Sequence, residues 1–495
     1  MKRLRLFHFD IKTYGNYGDT LLFEAVKQVF HGFGGGDCFE IYDSRPLRDP
    51  VGPSLVNYIN ENFDAVVVGG GGLFLRDTNP NRRSGWQWNI SLEQLRRLNK
   101  PLVLFSVGNN RFIDQADFAP PFGEHVNLTM EKSVFFGLRN TGSVETIKPY
   151  ISEGNRDRVE YQPCPTTISS YLFPDLTKAE VDPARRLGLE MIVGKRQAAA
   201  GFEAKAIYHD VIDVVRRLQS EGWLVDSVPH ARADMHFVEQ AAKEHLRMRE
   251  VKLFGDRDGL YKGVEYFADL PYFLGTRGHA QMVPFGMGSI PVSLLVHHKT
   301  GYFARDIGHP EWAVDPRQDG FADRLYSVLH DVEERRTELC TELAGVRERF
   351  YQVTLDNLAA IYQRLTGEEV EPVHIPYTPF ERRLAERAYA ESLSRGLADQ
   401  KVRELSAELE AARSTNEVPK VAEWLLARAQ GAADQGDLAT ARALLRGLDA
   451  ASPEFFNGKH RRPRWDEGAY RFVPAPVLQE LRSRAARRSG RPPAP

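Results

Sequence analysis

The chain has few of the residues that hold small or secreted folds together. Only three cysteines occur in 495 residues, and Cys38, Cys164 and Cys340 lie far apart, without the spacing of a disulfide framework or a zinc site. We therefore expect no metal site and a reducing environment. Cys164, between two prolines in "QPCPTT", is expected to be a buried packing thiol, not a nucleophile.

Long hydrophobic runs and an excess of one charge are also absent. No segment approaches the ~18 apolar residues of a membrane-spanning helix, and the N-terminus has no long apolar signal region. The 65 Lys and Arg residues nearly balance the 67 Asp and Glu residues, which leaves a net charge of −2. This balance gives no reason to expect nucleic acid as a partner. We expect a cytoplasmic protein that is not integral to a membrane.

What the sequence does contain is an alternation of apolar runs and amphipathic helices. Continuous apolar runs joined by helices are typical of parallel strands covered on both faces. They occur in "RLRLFHFDI", "FDAVVVGGGGLF", "KPLVLFSVGNN" and "SVFFGLRN", and again in "EMIVGK", "WLVDSVPH" and "IPVSLLVHHK". We predict an α/β fold of two Rossmann-like, doubly wound domains, residues 1–178 and 185–375, with ligands bound at the carboxyl ends of the strands. The strand in "FDAVVVGGGG" is expected to end at Gly69.

The last part of the chain, residues 376–495, has a different composition. It is rich in Ala, Glu, Arg and Leu with helical periodicity, and it ends in a basic, Pro-rich tail. Two helices in "VAEWLLARAQGAADQGDLATARALLRGLDA" resemble one tetratricopeptide-like unit. We interpret this extension as a candidate site for a protein partner or self-association. The tail is a candidate for peripheral contact with anionic lipid.

The segment "GTRGHAQMVPFGMGSIPVS" is the strongest candidate for a binding site. Arg277 and His279 follow an apolar strand and open a helix, where backbone N–H groups and the helix dipole favour an anion. A planar guanidinium suits phosphate or carboxylate, and His279 has a suitable pKa for general acid or base catalysis. Two alternatives stay open. Arg277 could pair with a carboxylate at a domain interface, and His279 could bind phosphate or have no titrating role.

Other candidate residues lie at predicted strand ends. Lys299, after His298 at the end of the strand "IPVSLLVHHK", is a candidate phosphate contact. His230, in "VPHARAD", is either a ligand of the donor site or a satisfied loop histidine.

The residues of the glycine-rich turns also have two possible roles, one in ligand binding and one in the fold. In "GNYGDT", Asn16 and Asp19 could orient an acceptor hydroxyl or cap a helix that starts at Thr20. Gly71, in the glycine tetrad, allows either close approach of the backbone to a ligand or packing of a helix on the strand.

Seven motifs appear in an order and spacing that resemble the polysaccharide pyruvyl transferase family, over roughly residues 4–375. They are "GNYGDTLL", "VVVGGGGLF", "FGLRNTGSVE", "YQPCPTT", "VPHARAD", "GTRGHAQMVPFGMGSIPVSL" and "HHK". The resemblance implies a fold similar to the type B (GT-B) glycosyltransferases. It also implies phosphoenolpyruvate as donor substrate, no other cofactor, and a sugar of a cell-surface or secreted glycan as acceptor, modified as a cyclic ketal.

The resemblance also implies roles for particular residues. Arg139, Arg277 and His279 match positions of the family's donor site. Ser143 matches the serine of an Arg-Asp-x-x-Ser pattern, in which this chain has Asn140 where many relatives have Asp. An asparagine can still accept a hydrogen bond there, with less charge assistance.

Two other functions stay open. The first is a glycosyltransferase of the same architecture that uses a nucleotide sugar, for which Glu265 is the nearest candidate to accept the ribose hydroxyls. The second is a non-catalytic scaffold that recruits a partner through its C-terminal helices. A nicotinamide cofactor is not expected, because neither glycine turn matches G-x-G-x-x-G with a well-placed acidic residue.

Overall fold

The computed structural model describes residues 2–11, 15–76, 83–178, 184–255 and 259–391, together with residues 393, 426, 429, 430 and 445. The chain divides into two compact units, Met1–Arg387 and Ala388–Pro495. Most of the predicted helical extension and all of its basic tail, with their predicted contacts to partners and lipid, lie outside the described residues.

Two parallel sheets of six strands each form the first unit. In the first sheet the order is β2-β1-β3-β4-β5-β6, and in the second it is β12-β11-β10-β7-β8-β9. The strands β1–β6 are Leu4–Asp10, Phe39–Pro46, Ala65–Phe74, Leu102–Asn109, Ser133–Leu138 and Val159–Tyr161. The strands β7–β12 are Arg186–Glu190, Leu224–Ser227, Arg249–Glu250, Tyr272–Gly275, Ile290–Leu294 and Ala313–Val314. This arrangement confirms the predicted α/β fold of two Rossmann-like domains.

Helices connect the strands and flank the sheets. Helices α1–α7 are Tyr17–Gly32, Pro53–Asn62, Leu92–Arg97, Pro121–Lys132, Thr141–Ile147, Ser169–Leu172 and Lys195–Ala199. Helices α8–α14 are Ala204–Ser220, Met235–Lys243, Gly259–Phe267, His279–Met287, His298–Asp306, Phe321–Glu334 and Arg336–Thr366. Short 3₁₀ turns are Gly34–Gly36, Lys148–Tyr150, Glu153–Arg158, Pro165–Ile168, Pro174–Leu176, Arg232–Asp234 and Pro310–Trp312. No helix among the described residues is both long enough and apolar enough to cross a bilayer.

Each sheet has one point at which the strand order reverses. The reversal lies between β1 and β3 in the first sheet and between β7 and β10 in the second. Because ligands of open parallel sheets bind outside the carboxyl ends of the strands at such points, these two edges position the candidate site.

Strand β3 continues through the glycine tetrad, so the predicted end at Gly69 is wrong. Gly69 has a φ of +138°, and a Cβ atom at this position would lie 2.1 Å from the carbonyl oxygen of Phe105 on β4. Only glycine fits this close approach of two strands. The tetrad therefore belongs to the sheet and does not form a turn after it.

The end of helix α14 packs on the first sheet, although residues 185–375 were predicted to form the second domain. Asn357 donates a hydrogen bond to the carbonyl of Tyr161 at 2.9 Å, and Arg364 donates to that of Val134 at 2.9 Å. The hydroxyl of Tyr362 donates to the carbonyl of Lys2 at 3.0 Å. The chain therefore returns to the first sheet after it completes the second.

Candidate active site

The first turns of α1 and α11 meet where the two sheets face each other. Asn16 caps α1, because its Oδ1 accepts a hydrogen bond from the backbone of Gly18 at 3.1 Å. The helix thus begins at Tyr17, before the predicted start at Thr20. A Cβ atom at Gly18 would lie 2.3 Å from Cβ of His279, so this glycine allows α1 to lie directly against the start of α11.

Asp19 and His279 form a pair across this contact. Nδ1 of His279 lies 3.5 Å from Oδ1 of Asp19. Burial alone would lower the pKa of His279, but its interactions with Asp19 and Cys164 raise it above its ordinary value. Burial would likewise raise the pKa of Asp19, but His279, Arg48 and Lys299 lower it. The charged imidazolium is therefore favoured at the entrance of α11.

Arg277 is held by two buried carboxylates of its own domain. Its Nη2 and Nε atoms lie 2.5 and 2.9 Å from Oδ1 of Asp234, and Nε lies 3.4 Å from Oε1 of Glu190. Asp234 is fixed in turn, because its Oδ2 accepts backbone hydrogen bonds from His230 and Ala231, both at 2.8 Å. The predicted alternative placed such a pair at a domain interface, whereas both carboxylates belong to the same domain as Arg277.

Glu190 ends strand β7 beneath Arg277. It accepts hydrogen bonds from the backbone of Thr276 and of Arg277, both at 3.0 Å. Burial, and then the negative charge of Asp234, raise the pKa of Glu190 to about 7, although Arg277 acts in the opposite direction. Two carboxylates thus share one guanidinium, and one of them can take up a proton near neutral pH.

Arg139 is buried without the partners that Arg277 has. It follows strand β5, its side chain is packed against Gly108 of β4, and the residue is only 4% exposed. Its Nε and Nη2 atoms are buried and have no hydrogen-bond partner among the described residues. A buried guanidinium normally satisfies its donors, so this arrangement points to an anionic ligand that the protein itself does not supply.

Asn140 and Ser143 support the segment that carries Arg139. The Asn140 side chain caps α5 by accepting a hydrogen bond from the backbone of Ser143 at 2.7 Å. The hydroxyl of Ser143 accepts one from the backbone of Asn109 at 2.9 Å, which joins α5 to the end of β4. Asparagine and aspartate cap helices about equally well, so this chain keeps the local geometry without the acid.

Lys299 enters the site from helix α12. Strand β11 ends at Leu294 and α12 begins at His298, so the prediction that His298 and Lys299 end the strand is wrong. Nζ of Lys299 donates a hydrogen bond to Oδ1 of Asn110, in the loop after β4, at 3.1 Å. Burial, with the charges of Arg139 and Arg277, lowers the pKa of Lys299 to about 7.

His230 and Gly71 have packing contacts. The His230 ring is fully buried among aromatic side chains, 5.6 Å from Tyr17 and 6.0 Å from Phe273 between ring centroids. Burial, with the charge of Arg277, lowers the pKa of His230 to about 3, so its imidazole is neutral. Gly71 has a φ of +109°, and a Cβ atom there would lie 3.1 Å from the side chain of Ile11. The His230 ring thus packs with these aromatic side chains as part of an apolar surface near Arg277.

The site contains two basic side chains that lack a salt-bridge partner. Among the described residues, neither Arg139 nor Lys299 forms an ion pair, whereas Arg277 is paired with Asp234 and His279 with Asp19. Arg139 comes from the first domain and Lys299 from the second. The arrangement suits a small ligand that carries two negative groups.

Sequence reasoning did not assign Glu190, Asp234 or Asn110 to the site. A single acidic residue at the end of an apolar run, as in "LGLEM", was the available signal for Glu190. Asp234 gave a weaker one, since it follows His230 by four residues. Glu265, the candidate ribose ligand of the alternative function, lies on α10 with an exposed side chain.

Comparisons with known proteins agree with the architecture. The model of the family described as "Polysaccharide pyruvyl transferase" matches residues 16–288, more than half of the chain. This range includes every residue of the candidate site named above except Lys299. No curated protein matches the chain.

Several solved structures have a similar backbone fold, at low sequence identity to this chain. The protein MnaA of S. aureus, solved with UDP, is 12% identical, with a TM-score of 0.48, over 76% of this chain and 100% of that one. A glycosyltransferase from Rickettsia africae is 10% identical, with a TM-score of 0.46, over 74% and 99%. A UDP-GlcNAc 2-epimerase from Neisseria meningitidis is 11% identical, with a TM-score of 0.41, over 70% and 94%. Similarity at this level carries no information about substrate.

Proposed function

Because the chain belongs to the polysaccharide pyruvyl transferase family, we propose that it transfers the enolpyruvate-derived group of phosphoenolpyruvate to hydroxyls of a sugar, as a cyclic ketal. The acceptor is a glycan or glycan precursor, and the reaction takes place in the cytoplasm. The observation that carries the proposal is the buried guanidinium of Arg139, whose Nε and Nη2 atoms have no hydrogen-bond partner in the part of the chain that the structure describes.

Phosphoenolpyruvate carries a phosphate and a carboxylate on a three-carbon frame. The free edge of Arg139 matches the bidentate geometry of either group, and Lys299 provides a point charge for the other. Since Arg277 is held by Asp234 and Glu190, we assign the larger share of donor binding to Arg139 and Lys299. Arg277 then positions the start of α11 beside the donor.

His279 supplies the proton chemistry in this proposal. Transfer requires a proton on the methylene carbon of the donor, which leaves a cationic centre at C2 for attack by a sugar hydroxyl. Asp19 and Cys164 favour the protonated ring of His279, so the ring is ready to act as an acid. Asn16 is occupied in capping α1, so it orients the helix that carries Asp19, and we do not assign it to the acceptor.

The test is a calorimetric titration of phosphoenolpyruvate into the full chain. We expect saturable binding in the wild type and at least about tenfold weaker binding in Arg139→Met, because that substitution removes one bidentate anion contact, worth about 1.5–3 kcal/mol. Arg364→Met is the matched control, since Arg364 pairs with Glu160 on the surface. A bound anion should also raise the pKa of Lys299 from about 7, so binding should take up protons near neutral pH.

The same titration separates the alternatives. Binding of UDP-N-acetylglucosamine, with no response to phosphoenolpyruvate, would replace this proposal with a nucleotide-sugar glycosyltransferase. The absence of binding to both compounds would favour a scaffold.

A further inference from the structure

Cys164 lies within the candidate site, although the sequence predicts that it is a packing thiol. It is buried, and it precedes the 3₁₀ turn Pro165–Ile168, where its Sγ atom lies 3.2 Å from the hydroxyl of Thr166. Helix α11 rests on this turn, because a Cβ atom at Gly286 would lie 2.1 Å from the carbonyl oxygen of Thr166. His279 is seven residues before Gly286, on the same face of α11, so it lies on the side of the helix that packs on this turn.

The thiol has charged neighbours from both domains. Burial alone would raise the pKa of Cys164, but its interactions with His279 and the charge of Arg139 lower it below its ordinary value. Tyr161 also interacts electrostatically with this thiol, and Asp19 and the neutral His230 do so with the His279 ring.

A second set of observations marks the same place as a ligand site. Arg139 is 4% exposed, interacts electrostatically with Cys164, and has two buried donors without partners. Nε2 of His279, which is 8% exposed, is also buried and has no hydrogen-bond partner among the described residues. Arg139 and His279 thus both carry buried donors without such partners, and both interact electrostatically with Cys164.

We propose that Cys164 is a catalytic residue of the transfer reaction, a thiol that shares one proton with His279 and faces the methylene carbon of the bound donor. This inference rests on the proposed function. Asp19, on the other side of the ring, orients His279 and acts as a positioning residue.

The protons given and taken up in this step balance, so no further reagent is needed. The thiol–imidazole pair gives its proton to C3 of the enolpyruvate, a C–H bond forms, and C2 becomes the electrophile. The first acceptor oxygen bonds to C2, and its proton returns to the pair. The second acceptor oxygen then bonds to C2 as the C2–O bond to phosphate breaks, and its proton leaves with the phosphate. Arg139 compensates the transient negative charge on the thiolate.

The first test is alkylation of the full chain by iodoacetamide, resolved by mass spectrometry at each cysteine. We expect saturating phosphoenolpyruvate to slow modification of Cys164 at least about tenfold, with no effect on Cys340, which lies half-buried on α14. Without ligand, His279→Gln should slow modification of Cys164 at pH 7 by about tenfold or more, because the thiolate loses its cationic partner. Cys38 should react slowly throughout, since burial raises its pKa to about 11.

The second test measures the proton transfer itself. Wild-type protein incubated with phosphoenolpyruvate in D₂O should exchange the methylene hydrogens, and Cys164→Ser should exchange them about 100-fold more slowly. In that variant the high-pH limb of the exchange rate, where the pair loses its shared proton, should also shift, because His279 then titrates alone. Cys340→Ser should behave as the wild type.

The outcomes are distinct. Failure of the wild type to bind phosphoenolpyruvate overturns the proposed function and this inference with it. Binding that leaves Cys164 unprotected, an exchange rate that is the same in Cys164→Ser, or no exchange in either protein overturns only the role of Cys164.

Discussion

The two arginines predicted for the donor site should respond in opposite directions when each is replaced by methionine. Two donor atoms of the Arg139 side chain, Nε and Nη2, are buried and have no hydrogen-bond partner among the described residues of the ligand-free protein. A buried unsatisfied donor costs about 1–3 kcal/mol, and methionine keeps most of the length of the side chain. Arg139→Met should therefore raise the free energy of unfolding by about 2 kcal/mol, while binding of phosphoenolpyruvate is lost.

Arg277→Met should have the reverse effect on stability. Nη2 of Arg277 lies 2.5 Å from Asp234, which is 2% exposed, and Glu190 beneath it is 1% exposed. Removing one partner of a buried ion pair leaves an uncompensated charge and costs about 3–5 kcal/mol. This loss should be largest above pH 7, where Glu190 is also ionised.

The assay is urea unfolding of the ligand-free full chain at pH 8, followed by tryptophan fluorescence. Arg364→Met serves as control, since the pair of Arg364 with Glu160 is partly exposed and should be worth less than about 1 kcal/mol. The reasoning is refuted if Arg139→Met is less stable than the wild type, or if Arg277→Met unfolds at the wild-type midpoint.

Three further predictions concern the frame of the site. Gly18→Ala should cost about 1–3 kcal/mol, because its Cβ would lie 2.3 Å from that of His279, whereas Gly15→Ala, with nothing within 4 Å, should be nearly neutral in the same unfolding assay. Asn140→Ala should cost about 1 kcal/mol through loss of the α5 cap and Asn140→Asp should not, and an equal loss in both would contradict the capping role. The raised pKa of Glu190 gives stability that is complete below its ordinary pKa of 4.5 and lost as the pH rises through about 7. Urea unfolding of Glu190→Gln between pH 4.5 and 7 should lack that decline, and a wild-type pH profile would contradict this assignment.

Much of the fold could be predicted because it depends on local pattern. Continuous apolar runs and amphipathic helices indicate parallel strands and their crossovers without knowledge of long-range contacts. The boundaries were less accurate where tertiary packing decides them. Strand β3 runs on through Gly69 because Phe105 of the neighbouring strand leaves room only for glycine. Helix α12 begins at His298 because His297 caps it, which the apolar run before it conceals.

The candidate site could be predicted only in part. Arg277 and His279 are two positions apart in the sequence, so a local motif is enough to predict that they lie close together. The contacts of Arg277 with Glu190 and Asp234 join residues 87 and 43 positions apart, and no spacing rule gives them. The neighbourhood of Cys164 could not be predicted for the same reason, since His279 lies on a helix of the other domain.

The most direct test of the donor site is a crystal structure of the full chain with phosphoenolpyruvate. We expect one anionic group within about 3 Å of Nε and Nη2 of Arg139, and the other at Nζ of Lys299. The methylene carbon should face His279 and Cys164. Phosphoenolpyruvate bound elsewhere, with the donors of Arg139 still unpaired, would contradict the account.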